Sequence, residues 1–399
     1  MTDRSDVVSS AWRDRGVCII SPYPSGGVTS QSGVAMYTQA LVDGFSSLKT
    51  SQIVILAQRS APVLESENLR VLPIWDPTHF SGSRISRSLQ EHRPGVVHLQ
   101  HEFRIFGTVA KTAATVRRLR RVRDLGAGVV VTLHGVVDRG GIDRGFVARN
   151  QAHLPSAVVG RIFYQAYREI QRLSDQVIVH HQHFADILVS DYKFDPNRVS
   201  VIPMGRGTVV RDSTYNTERV SSAGFRVLCF GYLTSYKNFE LVLDVAERSM
   251  MPGVTFVFCV SERSGHDAEP SVRLRELEGR ARRLEPTVEW HGYLADEDVP
   301  SMFGSVDLLL LPYTDCISVS AVASLAEGFG IPVCYSEPLL PLLGNGVTTF
   351  KLEVLALEET VTNAMTGLLA HADSGVFTSW GEVATMTKLV WDRAARMNL

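Results

Sequence analysis

Short, continuously apolar runs alternate with stretches of helical length along nearly the whole chain, and that alternation leaves few folds open. In the first half the runs fall at residues 17–21, 52–56, 69–74, 96–100, 129–133, 176–179 and 199–202. Segments 33–47, 108–125 and 157–173 lie between them and are long enough for helices. Strands that are apolar on both faces belong to parallel sheets covered by helices on both sides. Residues 206–224 are polar and carry neither periodicity, so they read as a connection between domains. The pattern then restarts with apolar runs at 225–230, 254–260, 288–290, 308–311 and 333–335, helices expected over 239–250, 270–284 and 319–329, and a last amphipathic helix over 380–397. The expected fold class is α/β: two doubly wound, Rossmann-like parallel-sheet domains facing across a cleft. The expected bounds are 1–205, a linker 206–224, 225–376, and a C-terminal helix 377–399 that packs back toward the first domain. Ligands of such sheets bind at the C-terminal strand edges.

The 399 residues, 45% hydrophobic and 21% charged, are those of an ordinary globular protein with two domains. No apolar stretch is long enough to cross a bilayer. The N-terminus carries two Asp and no apolar core, so no signal peptide is expected. Five scattered Cys (18, 229, 259, 316 and 334) read as buried thiols of a reducing compartment, and a cytoplasmic location is expected. Residues 1–210 hold 25 Lys and Arg against 17 Asp and Glu, and the remainder 15 against 25, so the two halves should meet different partners. A basic helix over 111–123 is a candidate for peripheral contact with anionic lipid or for an anionic acceptor. It lacks the interleaved aromatics of a nucleic-acid surface.

The phosphate loop of NTPases, His-Glu-x-x-His and Gly-x-Ser-x-Gly are all absent. After the first strand a Gly- and Ser-rich loop leads through Gly33 into a helix, an arrangement that lets backbone approach a ligand. The fourth and fifth long runs deliver Gln100, His101 and Glu102, and then His134, to the edge that faces the cleft. His134 there could hydrogen-bond a sugar hydroxyl or a developing charge, or be satisfied by backbone. His180, His181 and His183 lack further ligands in metal spacing and read as polar residues at a helix start. In the second half, Lys237 follows a strand and can neutralise a diphosphate. Ser318, Val319, Ser320 and Ala321 open a helix whose free N–H groups form a second anion cradle. Asp296-Glu-Asp298 is better suited to capping a helix than to binding a metal.

Together these segments resemble the GT-B glycosyltransferases of the retaining family 4. Ser32-Gly33-Val-Ala-Met-Tyr-Thr is similar to the family's first glycine-rich loop, and residues 96–107 and 131–134 to its acceptor-domain strand ends. Phe230-Gly-Tyr-Leu-Thr-Ser-Tyr-Lys237 is similar to the opening of the donor domain, where a lysine holds the diphosphate. Pro312-Tyr-Thr-Asp315 and Gly330-Ile-Pro-Val333 resemble its donor-site strand and the strand that follows, and Ser379-Trp-Gly-Glu-Val-Ala384 its terminal helix. There are two departures, at three positions. Tyr232 stands where the family has an arginine, and the family's paired glutamates would fall at Ile317 and Leu325.

The resemblance implies transfer of a hexose-type sugar from a nucleoside diphosphate donor, with retention, to a saccharide, glycolipid or small-molecule hydroxyl. It implies no cofactor and no metal. Catalysis would rest on His134 and Lys237. Gly33, Tyr232, Lys237, Asp315, Ser318, Val319, Ser320 and Ala321 would bind the donor, and Gln100, His101 and Glu102 would lie on the acceptor side. The departures leave two alternatives: a catalytically silent subunit that binds a partner transferase, or a sugar-nucleotide epimerase.

Overall fold

The computed structural model of the chain describes every residue except 1–14, 25–32, 47, 49–51, 77–81, 104, 106–125, 151, 206–223, 250, 263–270, 296, 344–346, 348, 367–377 and 398–399. The basic segment 111–123, the helix expected over 108–125, most of the first glycine-rich loop, Asp296 and the connection 206–223 therefore lie outside the described residues.

The chain folds into two sheets. The first comprises β1 (Val17–Ile20), β2 (Ile53–Gln58), β3 (Leu64–Glu65), β4 (Leu69–Trp75), β5 (Val96–His101), β6 (Gly128–Leu133), β7 (Gln176–Val179) and β8 (Val199–Val201). Their spatial order is β3-β4-β2-β1-β5-β6-β7-β8, parallel throughout except for the antiparallel β3–β4 pair. The second comprises β9 (Phe225–Tyr232), β10 (Val254–Ser261), β11 (Val288–Trp290), β12 (Leu308–Leu311), β13 (Val333–Ser336) and β14 (Thr349–Phe350), in the order β11-β10-β9-β12-β13-β14. Every pair in it is parallel.

Alternate residues of each strand feed separate cores on the two faces, which is why the strands read as unbroken apolar runs. On one face of the first sheet Ile19, Ile55, Val96, Val130 and Ile178 meet the helices Gly33–Gly44 and Trp380–Arg396. On the other, Ile20, Leu56, Leu99, Val131 and Val179 meet Gly82–His92, Ser156–Leu173 and Gln182–Ser190. The second sheet is covered in the same way, with Ala321–Gly328 and Val299–Phe303 on one face and Phe239–Arg248, Val272–Arg282 and Val354–Met365 on the other.

The last helix, Trp380–Arg396, lies on the first sheet although it follows the second in sequence. A side chain at Gly128 would strike its backbone at Ala394, and one at Gly205 would strike the Trp380 ring. Trp391 stacks on Phe45 with ring centroids 4.8 Å apart. Ser379 and Glu382 form a reciprocal capping box at its start.

Strand order reverses at β1/β5 in the first sheet and at β9/β12 in the second. Such switch points are where the loops part and leave a crevice above the C-terminal strand ends. The chain segments that follow β5, β9 and β12 carry most of the candidate residues.

Candidate functional site

On the second sheet two features converge at the switch point. β9 ends in Gly231-Tyr232, and a short 3-10 turn, Ser235–Lys237, follows. Lys237 is buried, and its Nζ lies 5.7 Å from the centroid of the Tyr313 ring. The ammonium sits against Gly231: a Cβ there would fall on Nζ and reach within 3.7 Å of Val322 Cγ2, at the start of the helix Ala321–Gly328. Gly231 also has φ +117°, a backbone region open to glycine. Its missing side chain is the space the ammonium occupies.

The helix start is built by Ser320, whose Oγ accepts from the amide of Ala323 at 3.2 Å. The amides of Ala321 and Val322 lie in the first turn, where helical geometry supplies no acceptor. Burial pushes the Tyr313 phenol well up, partly offset by its hydrogen bond to Ser320. Ser318 and Val319 belong to the preceding loop and Tyr232 ends β9, all three half-buried. A cation and the first turn of a helix thus flank Gly231, a pairing of charge and helix dipole that suits a diphosphate. Gly231→Ala should displace the ammonium and strain the strand end. The expected result, read from steady-state kinetics, is a donor kcat/KM about tenfold lower, with kcat falling further than KM rises and the fold retained.

On the first sheet, the candidate residues go to opposite faces. Gln100 and His101 are both fully buried, so neither side chain is open to an acceptor, contrary to the expectation from sequence. His101 turns into the core beside Phe103, at 4.9 Å between rings, and neither of its ring nitrogens has a hydrogen-bond partner. Glu102 is half-buried just beyond the strand. Gly33 opens its helix, and among the described residues nothing lies within 4 Å of where its Cβ would stand.

Gln100 instead joins a chain of three histidines, of which His98 and His180 are buried and His134 half-buried. Trp391 Nε1 donates to His98 Nδ1 at 3.1 Å, and His98 Nε2 lies 2.7 Å from Thr132 Oγ1 and 3.3 Å from the Gln100 amide. The amide's other end lies 2.7 Å from His134 Nε2, His134 Nδ1 lies 3.3 Å from His180 Nε2, and His180 Nδ1 lies 3.0 Å from the Ile202 carbonyl. The two ends of the chain fix its direction. Indole N–H only donates, so neutral His98 keeps its proton on Nε2. The Ile202 carbonyl only accepts, so neutral His180 is protonated on Nδ1 and His134 must donate to it from Nδ1. Gln100 must then give its NH2 to His134 and its oxygen to His98. The opposite amide placement, with Oε1 on His134, would need a doubly protonated imidazole, which burial opposes. Burial holds His98 at about 3 and His180 at about 4. It also holds His134 well below the usual range, with the neighbouring His180, His98 and His101 acting in the same direction.

Both ring nitrogens of His134 are therefore committed to protein, and the expected hydrogen bond from His134 to a sugar is not available in this arrangement. The turn that follows is held by two tyrosines rather than by His134. Val137 N–H donates to Tyr167 Oη at 2.9 Å, and Tyr192 Oη donates to the Val137 carbonyl at 2.7 Å.

Asp315 also differs from expectation. Its Oδ1 and Oδ2 accept from Arg149 Nη2 at 2.6 Å and Nε at 3.1 Å, and Thr314 Oγ1 donates to Oδ2 at 3.1 Å. The carboxylate is spent on an arginine of the first lobe rather than open to a donor. Ile317, at one family-glutamate position, packs on the first-lobe core, as do Cys316 and Val319. Asp298 precedes the short helix Val299–Phe303 without a side-chain cap bond, against the capping role expected of it. His181 caps the helix Gln182–Ser190 through Nδ1, which accepts from the His183 amide at 3.1 Å. Among the described residues no group of three His, Cys, Asp or Glu is placed to hold a metal ion, and no helix is long and apolar enough to cross a membrane.

Residues 31–208 match the sequence model of Glycosyltransferase Family 4. A stretch of 172 residues is 29% identical to the mannosylfructose-phosphate synthase of Agrobacterium fabrum; it covers 40% of this chain and 37% of that relative, so the chain spans little more than a third of its length. Among solved structures, HepE of Anabaena in complex with UDP and glucose superposes with a TM-score of 0.60 at 16% identity, covering 96% of this chain and 98% of that one. The sucrose-phosphate synthase of Thermosynechococcus elongatus gives a TM-score of 0.66 at 12% identity, covering 94% and 98%. The chain therefore has the GT-B architecture of glycosyltransferases, with Glycosyltransferase Family 4 sequence over residues 31–208.

Proposed function

We propose that the protein is a retaining glycosyltransferase that moves a hexose from a nucleoside diphosphate donor, with UDP the first nucleotide to test, to a hydroxyl of a saccharide or small molecule. The convergence of the Lys237 ammonium with the start of the helix Ala321–Gly328 at Gly231 carries this reading. Charge develops on the leaving diphosphate as the glycosidic bond breaks, and fixed donors aimed at that charge lower the barrier without reorganising. The complex of HepE with UDP and glucose supports a UDP-sugar donor. The named products of the Agrobacterium and Thermosynechococcus relatives support a sugar phosphate as one acceptor to include. On this reading Ser318–Ala321 and Tyr232 flank the donor. His134 acts as a link in the hydrogen-bonded chain from Gln100 to His180, and half-buried Glu102, just beyond β5, is the remaining acceptor-side candidate.

The test is a mass-spectrometric screen of nucleotide sugars against saccharide and sugar-phosphate acceptors, run with and without EDTA. Transfer with retained anomeric configuration is expected. Because Lys237 and the helix start carry the diphosphate charge, EDTA should change the rate less than about twofold. Failure to bind any nucleotide sugar would favour a silent partner subunit, the alternative that Ile317 and Leu325 raise. Conversion of donor without acceptor would identify an epimerase.

A further inference from the structure

We infer that Arg149 is a positioning residue. Through Asp315 it latches the two lobes together, and so organises the loop that leads into the helix Ala321–Gly328. Arg149 ends the short first-lobe helix Arg144–Arg149, while Asp315 lies 166 residues later at the start of the loop after β12. The contact is two-pronged, with Nη2 to Oδ1 at 2.6 Å and Nε to Oδ2 at 3.1 Å, and both side chains are largely shielded, at 33% and 17% exposed. Two-pronged guanidinium–carboxylate pairs fix orientation as well as distance.

The ion pair does not stand alone. Two residues further on, the Ile317 carbonyl accepts from the Val136 amide of the first lobe at 2.8 Å, and a Cβ at Gly135 would lie only 3.3 Å from that oxygen. The side chains of Cys316, Ile317 and Val319 pack on the first-lobe core. The loop that ends in the Ser320 cap is thus shaped on one side by its own strand and on the other by the opposite lobe. Parting the lobes would break the ion pair and the Val136–Ile317 bond together, and would free the loop that presents the helix start. Ile317, where the family has a glutamate, serves this contact with its backbone and its apolar side chain. The same latch keeps bulk water from the gap while it is closed, so releasing it favours attack by water over attack by an acceptor.

The consequence for turnover rests on the transferase reading above, whereas the latch itself does not, and the test separates them. Hydrogen exchange of the Val136 amide is measured in the full chain for wild type, Arg149→Ala, Asp315→Asn and the exchanged pair Arg149→Asp with Asp315→Arg. The single substitutions are expected to speed exchange at Val136 at least tenfold, and the exchanged pair to return it to within threefold of wild type. In parallel, UDP-glucose turnover is followed with and without acceptor. The single substitutions should lower kcat about tenfold or more, move the donor KM less than threefold, and raise the ratio of hydrolysis to transfer at least fivefold. Val136 exchange within twofold of wild type in both single variants would overturn the latch. So would faster exchange with an unchanged ratio of hydrolysis to transfer, as regards its role in turnover. A wild-type protein that neither binds nor turns over nucleotide sugars would defeat the transferase reading, and Val136 exchange would still decide the latch.

Discussion

Lys237→Ala is expected to lower kcat/KM for the nucleotide sugar by about 10²–10³-fold while leaving the melting temperature within a few degrees of wild type. The size of the effect follows from the site's geometry. The ammonium is buried against Gly231 beside the Tyr313 ring, where the surrounding medium screens charge far less than water does. A donor of this kind that acts on a developing diphosphate contributes more in the transition state than in the ground state, so kcat should fall further than KM rises. Lys237→Arg should not restore the rate, because the space left by Gly231 fits a compact ammonium and not a planar fork. Initial-rate kinetics with the best donor and acceptor check this. A Lys237→Ala protein with wild-type kcat would remove Lys237 from the chemistry.

The second large effect is acid unfolding that begins above the pH at which carboxylates titrate. His98, held at about 3, His101 and His180, each held at about 4, and His134 are all kept neutral in the fold by burial. In the unfolded chain each titrates near 6.5, so below that pH the unfolded state binds more protons than the folded one. The stability these groups contribute is fully present above about pH 6.5 and is lost as pH falls toward 4, at about 1.4 kcal/mol per histidine per pH unit. His98, His101 and His180 together remove about 4 kcal/mol per unit, with His134 acting in the same direction, which exhausts ordinary stability between about pH 4 and 5. Glu247 and Glu289, whose arginine partners hold them down, add their losses only in the lower carboxylate range. Circular dichroism should show a cooperative transition between about pH 4 and 6, with a coincident change in tryptophan fluorescence because Trp391 donates to His98. A far-ultraviolet signal unchanged down to pH 4 would contradict the buried neutral chain.

How much of this was legible in the sequence differs between elements. The central strands were, because strands buried on both faces leave unbroken apolar runs such as Leu308–Leu311. The helix Gly82–His92 was not, because its buried positions, Gly82, Ile85, Ser88 and Leu89, make too thin an apolar stripe. The two-residue, exposed β3 offered no pattern at all. At the site, strand ends could be located from sequence but not the faces their residues take. Gln100 and His101 differ by one position and so point to opposite sides, one into the histidine chain and one into the core. A usable signal was present nonetheless: His98 and Gln100 interrupt an apolar strand at a spacing of two, which marks a polar network buried on one face. Their partners His180 and Trp391 lie far along the chain, as Arg149 does from Asp315, and no local spacing reports such pairings. Lys237 and the Ser320 cap were readable because each lies in the short connection between a recognisable strand and the helix that follows it.

On the proposed reading the second lobe holds a diphosphate between the Lys237 ammonium and the helix start at Ala321. Calorimetric titration of the wild-type protein with UDP and with UMP tests it most directly, because the two nucleotides differ only in the β-phosphate. UDP is expected to bind at least about tenfold more tightly, a difference of about 1.4 kcal/mol, and this margin to collapse in Lys237→Ala. Equal affinities in the wild type, or a margin that survives the substitution, would contradict it.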